Sequence, residues 1–173
     1  MSKKPKIRRP AVFLDRDGTI NYDYGYVHQF SNFKFRPYVI RGLKYLTKKK
    51  YLIFIVTNQA GIAKGKFELK DLLKLNKQLK IYLKKKDIII NDIEFCPYHP
   101  CGTVKFYKKK TSYRKPGNLM IIKLKKKWKV NMKKSFMIGD RLSDKLAARR
   151  SNLYFEFVKN NFYKQVKKIV NNY

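Results

Sequence analysis

Acidic residues are scarce in this chain, eleven Asp and Glu against 43 Lys and Arg in 173 residues, for a formal net charge of +32. Cysteine and histidine are scarcer still, at two each, and tryptophan occurs once. Cys96 and Cys101 alone make no disulfide framework, so a reducing, cytoplasmic setting is the expectation. No apolar run approaches the ~20 residues of a membrane span. The first ten residues are basic and lack an apolar core, so they read as an N-terminal arm and not as a secretory signal. The glycine-punctuated stretch 61–67 lacks the spacing of a phosphate-binding P-loop. With so few carboxylates, their placement carries information.

The positive charge has two readings. Such a charge suits a polyanion such as nucleic acid. Here the lysine triplets 48–50, 84–86, 108–110 and 125–127 are scattered between elements, and Asn, Ile, Tyr and Phe are also abundant. All five residue types have AT-rich codons, so base composition alone accounts for the bias. The aromatic residues are spread through the sequence and form no stacking platform in it. Neither a specific nucleic-acid partner nor a membrane is expected. A chain of this length that is 44% hydrophobic can bury the core of one domain, taken as residues 1–173 with the arm at 1–10.

Apolar runs at 11–14, 51–56, 88–95, 135–138 and 154–158 read as strands. Helical spacing follows over 37–50 (Val39, Ile40, Leu43, Leu46), 68–86 (Leu69, Leu72, Leu73, Leu79, Leu83), 118–127 (Leu119, Ile122, with Trp128 beyond), 145–150 and 162–170. The alternation predicts an α/β fold, a mostly parallel Rossmann-like sheet with helices on both faces. The stretch 21–35 has no period, and a loop of that length beside a strand end tends to carry function.

The chemistry sits where strands should end. Asp15 and Asp17 close the first strand, before Gly18 and Thr19. Ligands of open α/β sheets lie beyond the carboxyl ends of the strands. Carboxylates there can hold a divalent cation, and one can attack phosphorus to give an aspartyl-phosphate. The fourth strand repeats the pattern with Asp140, so Asp15 and Asp140 can share one hard cation. Thr57, Asn58 and Gln59 end the second strand with neutral donors for phosphate oxygens. Arg114 and Lys115 precede a helix start and suit phosphate neutralisation. Cys96, His99 and Cys101 supply only three of the four ligands zinc takes.

Taken together, Asp15-x-Asp17-Gly18-Thr19, Thr57-Asn58, Lys115 and Gly139-Asp140-x-x-x-Asp144 resemble, in order, the four motifs of the haloacid dehalogenase superfamily of phosphohydrolases. The segments 25–28, 57–67, 96–100 and 114–116 narrow the resemblance to its heptose-bisphosphate phosphatase branch, and it runs from about residue 12 to 158. It implies a fold without a large cap domain and removal of the 7-phosphate of D-glycero-D-manno-heptose 1,7-bisphosphate, in ADP-heptose and lipopolysaccharide-core synthesis. It implies Asp15 as nucleophile and Asp17 as general acid, then base. Mg²⁺ would be held by Asp15, Asp140 and the Asp17 carbonyl. Thr57 and Lys115 would bind the transferring phosphoryl group, and Asp23, Tyr24, Gly25, Tyr26, Asn58, Gln59, Arg114 and Arg141 the rest of a small sugar phosphate, in a monomer. Histidinol-phosphate phosphatase, or a polynucleotide 3′-phosphatase suggested by charge, are the alternatives.

Two departures from the branch matter. Of its four zinc-ligand positions only Cys96 is retained, the others being Tyr98, Thr111 and Tyr113, so no structural zinc and a looser loop are expected. Arg141 replaces the usual lysine, which keeps the charge and changes its geometry.

Overall fold

The runs at 11–14, 52–56 and 136–138 are apolar without a polar face, so these strands must be covered on both sides. The structure, a computed structural model, describes residues 8–172. It joins β1 (Ala11–Leu14), β2 (Leu52–Asn58), β3 (Asp92–Cys96), β4 (Phe136–Gly139) and β5 (Tyr154–Phe157) in one parallel sheet of order β3-β2-β1-β4-β5. Val12, Leu14, Ile53, Ile55, Phe136 and Ile138 point to one side, against α1 (Val39–Lys48), α3 (Leu69–Lys84) and α6 (Phe162–Asn171). Ala11, Phe13, Leu52, Phe54, Val56 and Met137 point to the other, against α4 (Leu119–Trp128) and α5 (Leu142–Arg149). Phe13, Leu14, Ile53 and Phe54 are wholly buried, each worth roughly 1.5–3 kcal/mol of transfer free energy. β1 lies centrally, between β2 and β4, so the ends of these three strands are neighbours.

Several boundaries and faces differ from the sequence reading. Ile88 and Ile90 are buried but precede the ladder: Asn91 bonds Ile53 through both backbone and side chain, and pairing starts at Asp92 opposite Phe54. On α3 the inward face is Leu72, Leu75, Asn76, Leu79 and Leu83, while Leu73 is about half exposed. On α4 it is Met120, Ile121 and Leu124, and Leu119 faces out. The expected α3 stripe holds at Leu72, Leu79 and Leu83, misplaces Leu73 and omits Leu75, while on α4 the expected Leu119 and Ile122 are not the buried face. The 61–67 stretch opens with one helical turn, α2 (Ala60–Ala63). Residues 1–7 of the expected arm lie outside the described residues. Arg9 and Pro10 are tied to the sheet, Arg9 donating to the Lys50 carbonyl at 2.7 Å and Pro10 accepting from Leu52 N–H at 2.9 Å.

Candidate active site

Asp15 follows β1, Thr57 and Asn58 end β2, and Asp140 follows β4, so the sheet order alone brings them to one crevice. Lys115 reaches it from a loop. The Lys115 ammonium donates to Asp15 Oδ1 at 2.7 Å and to the Val56 carbonyl at 2.7 Å, and lies 2.6 Å from Asp144 Oδ1. Asn58 holds that loop by a reciprocal clasp: its amide oxygen accepts from Lys115 N–H and its amide nitrogen donates to the Lys115 carbonyl, each at 3.0 Å. The clasp commits both ends of the Asn58 side chain.

Ligand oxygens of Asp15, Asp140 and Asp144 lie within 4.8 Å of one another. Lys115 pairs with two of these three carboxylates, Asp15 and Asp144. Burial first, then the charge of Asp144, raises the Asp15 carboxyl to about 8 against the opposing pull of Lys115. Burial opposes charge on Lys115, yet Asp15 and Asp144 keep its proton held more tightly than usual. Asp140 Oδ1 is buried without a hydrogen-bond partner. Surplus negative charge and an unpartnered oxygen fit a hard divalent cation, which takes carboxylate oxygens. Gly18, at φ +83°, permits this packing, because a Cβ there would run into the Asp140 carboxylate. Asp144 was left without a role by the sequence reading, although its motif held it. The signal was its place in the first turn of α5, which starts at Leu142 and not at 145, with Asp144 Oδ2 accepting from Arg141 N–H at 3.0 Å.

The Asp17 carboxylate is surrounded by donors. Gln59 and Asn21 side-chain amides reach it at 2.9 Å each, and the wholly buried Arg16 guanidinium at 2.8 Å. Gln59 also donates to Thr57 Oγ1 at 2.9 Å. Arg16 and Asn21 have no role in the sequence reading, and Gln59, read there as a donor to substrate, here donates to Asp17. A cleft of about 550 Å³ opens over these groups, lined also by Asp23, Gly25, Tyr26, Arg114 and Arg141, by Lys64, and by His99, which the sequence offers only as a candidate zinc ligand. Arg141 pairs with Asp23 at 2.8 Å and lies 3.6 Å from Asp140. Burial, then Arg141, eases the hold of Arg114 on its proton, and burial, then Arg114 and Lys64, lowers that of His99. One wall of the cleft is therefore cationic. Tyr24 departs from the expected set: it turns to an adjoining hollow and does not line the cleft.

The segment 97–113 contains a 3₁₀ turn, Lys105–Tyr107, and is fastened by aromatic and charged contacts. The Lys109 ammonium lies 3.9 Å from the centre of the Tyr98 ring, and Tyr113 bonds Glu94, which pairs with Lys123 at 2.9 Å. Burial, then Glu94, pushes the Tyr113 hydroxyl up to about 12. Cys96 is buried and Cys101 exposed. Among the described residues, the group of His, Cys and acidic side chains close enough for an ion is Asp15, Asp140 and Asp144.

With this geometry in place, the likeness to known proteins is specific. A family model described as polynucleotide kinase 3 phosphatase matches residues 12–168. D-glycero-beta-D-manno-heptose-1,7-bisphosphate 7-phosphatase of Photorhabdus laumondii is 43% identical over 139 residues, covering 80% of this chain and 74% of the relative. The enzyme of that name from Escherichia coli K12 is 40% identical over 144 residues, 83% of this chain and 75% of its own. The chain belongs to this phosphatase family, on its heptose-bisphosphatase branch. The crystal structure of D,D-heptose 1,7-bisphosphate phosphatase from B. bronchiseptica, complexed with magnesium and phosphate, superposes with a TM-score of 0.83 at 19% identity, over 95% of this chain and 99% of that one. That likeness fixes the haloacid dehalogenase-like fold. A member of the heptose-bisphosphatase family is a phosphoric monoester hydrolase. No helix among the described residues is long and apolar enough to cross a membrane.

Proposed function

We propose that this protein removes the 7-phosphate of D-glycero-D-manno-heptose 1,7-bisphosphate through a phosphorylated Asp15, with Mg²⁺ in the site. The observation that carries the reading is the Lys115 ammonium set between Asp15 and Asp144, with the unpartnered Asp140 oxygen alongside. Relatives at about 40% identity bear that enzyme's name, and the B. bronchiseptica structure holds magnesium and phosphate. Asp15, Asp140 and the Asp17 carbonyl would hold the ion. When bound, it supplies positive charge against the phosphoryl oxygens.

Asp15 attacks phosphorus, and the bond from phosphorus to the C7 oxygen breaks. Asp17 gives that oxygen its proton, so the sugar leaves as an alcohol. Water then attacks the phosphorus of the aspartyl-phosphate, Asp17 takes its proton, and phosphate and the free Asp15 carboxylate are restored. Lys115 and Thr57 bind the phosphoryl oxygens, whose spreading charge is the main thing to stabilise. Arg114, on the cationic wall, suits the phosphate that stays on the sugar. Asp23, Gly25, Tyr26, Gln59 and Arg141 line the space left for the heptose, and Tyr24 borders it.

No zinc enters this reading: the Tyr98–Lys109 and Tyr113–Glu94–Lys123 contacts stand where the branch has ligands. The enzyme would act as a monomer in the cytoplasm, on the route to ADP-heptose. The test is phosphate release from heptose bisphosphate, histidinol phosphate and a 3′-phosphorylated oligonucleotide. Heptose bisphosphate labelled at the 7-phosphate, acid-quenched after a single turnover, should leave label on the wild-type protein and none on Asp15→Asn. Preference for histidinol phosphate would overturn the substrate, and label retained by Asp15→Asn the nucleophile.

A further inference from the structure

Gln59 lines the cleft, yet it is 3% exposed and its side chain is committed inside the protein. It follows β2 two residues after Thr57, a spacing that sets both side chains on one face of an extended chain. Its backbone N–H donates to the Cys96 carbonyl at 2.8 Å, which anchors it beside the end of β3. Its side-chain nitrogen donates to Thr57 Oγ1 and to Asp17 Oδ2, each at 2.9 Å. Its side-chain oxygen accepts from the Arg16 guanidinium at 3.2 Å. A primary amide has two N–H protons, and both are used here. The donors of Gln59 are thus taken up before any substrate enters.

The direction of these bonds follows from the partners. A guanidinium carries donors only, so Arg16 must face the amide oxygen, and this turns the amide nitrogen toward Asp17 and Thr57. The opposite orientation would set nitrogen against guanidinium and oxygen against carboxylate. Arg16 is itself held: wholly buried, it donates to the Val27 carbonyl at 2.6 Å and pairs with Asp17 at 2.8 Å. A threonine hydroxyl accepts on its lone pairs and donates its one proton. Thr57 Oγ1 accepts from Gln59 and has no other hydrogen-bond partner among the described residues. Its own proton is therefore left to point away from Gln59. Thr57 lines the cleft, where a phosphoryl oxygen is an acceptor.

We propose that Gln59 is a positioning residue, its amide fixed by Arg16, that turns the Thr57 hydroxyl proton toward the transferring phosphoryl group and steadies Asp17 from the same nitrogen. This rests on the phosphatase reading above and deepens it. Gln59 acts through Thr57 and Asp17, not by touching substrate. One amide thereby ties the hydroxyl that meets the phosphoryl oxygen to the carboxylate that moves the proton, so that neither side chain turns without the other.

The experiment measures kcat and KM of the full chain on heptose bisphosphate with Mg²⁺, for Gln59→Met, Thr57→Val and the double variant. Gln59→Met keeps the length of the side chain and removes its donors. It should lower kcat about tenfold, the worth of one such bond. KM should stay within about twofold, since no substrate contact is lost. In the Thr57→Val background the same change should cost less than about threefold, because no hydroxyl proton is left to aim. Equal cost in both backgrounds, which loss of packing alone would give, overturns the proposal. So does a rise in KM at unchanged kcat, which would make Gln59 a substrate contact. A second measurement needs neither a Gln59 variant nor a substrate. The chain has four glutamines, so the Gln59 side-chain amide can be followed by NMR on protein labelled at glutamine nitrogen. Its two protons should exchange slowly in wild type, and Thr57→Val should speed the exchange of one and not the other. Indifference of both would mean that Thr57 donates and Gln59 accepts, and would overturn the proposed direction even if Gln59→Met failed to fold. A wild type that shows the expected exchange but leaves heptose bisphosphate intact would sink the proposed function and uphold the Gln59–Thr57 arrangement.

Discussion

Lys115 Nζ lies 2.7 Å from Asp15 Oδ1 and 2.6 Å from Asp144 Oδ1, so one ammonium is shared by two buried carboxylates from opposite ends of the chain. That sharing orients Asp15 and still leaves the crevice short of positive charge, with Asp140 close by.

Lys115→Ala should cut turnover about a hundredfold or more, the usual cost of ~3 kcal/mol for losing one donor to a developing charge. The metal-free variant should also melt lower than wild type, with Mg²⁺ narrowing the gap, because removing one partner strands buried carboxylates. Heparin retention should hardly change, since one charge of +32 is lost. Full activity in this variant would remove Lys115 from the mechanism.

Asp15→Asn should abolish turnover and reshape the pH dependence of stability without metal. Asp15 is raised to about 8 in the fold, from the usual 3.8. Between these values the folded state binds the extra proton, so this group's contribution is present below about pH 4 and is lost as pH rises toward 8. The stability of Asp15→Asn minus that of wild type, from urea melts in EDTA, should therefore climb across that window and level off above it. A flat difference would refute the shift.

Gly18→Ala should destabilise by at least about 1 kcal/mol, since alanine resists a positive φ. Its Cβ would also displace the Asp140 carboxylate. Mg²⁺ should then stabilise the variant less than wild type in thermal melts. An equal Mg²⁺ effect in both proteins would separate Asp140 from the ion.

Tyr113→Phe should lower the melting temperature by about 2–4 °C, the shift ~1 kcal/mol gives in a chain of this size. It loses the bond to Glu94 and the 3.3 Å contact with Lys123. Added zinc should not restore it. One zinc per chain in the purified protein would overturn this account of the 97–113 segment.

The parallel sheet and the meeting of Asp15, Asp140 and Thr57 were legible because apolar runs end at those residues, whereas Lys115 sits on a loop and was joined to them by the resemblance. Leu73 and Leu119 were misplaced because spacing alone permits more than one stripe on a lysine-rich helix, and the sheet decides which is covered. The clamp on Asp17 was hidden for another reason. Arg16, a charged residue in sequence, is wholly buried, with partners at Asp17 and Val27 in the segment after β1 and at Gln59 after β2.

The Asn58 clasp has a further consequence, for the order in which the molecule gains its activity. Asp15 and Lys115 are 100 residues apart, and Asn58 and Lys115 are 57 apart. No contiguous fragment of β1 and β2 can contain the site, and an emerging chain stays inert until Asp144 has followed Lys115 into the crevice. Such distant closures come late, after local helices have formed. During refolding, phosphatase activity should return after the helical signal, in step with the last long-range contact.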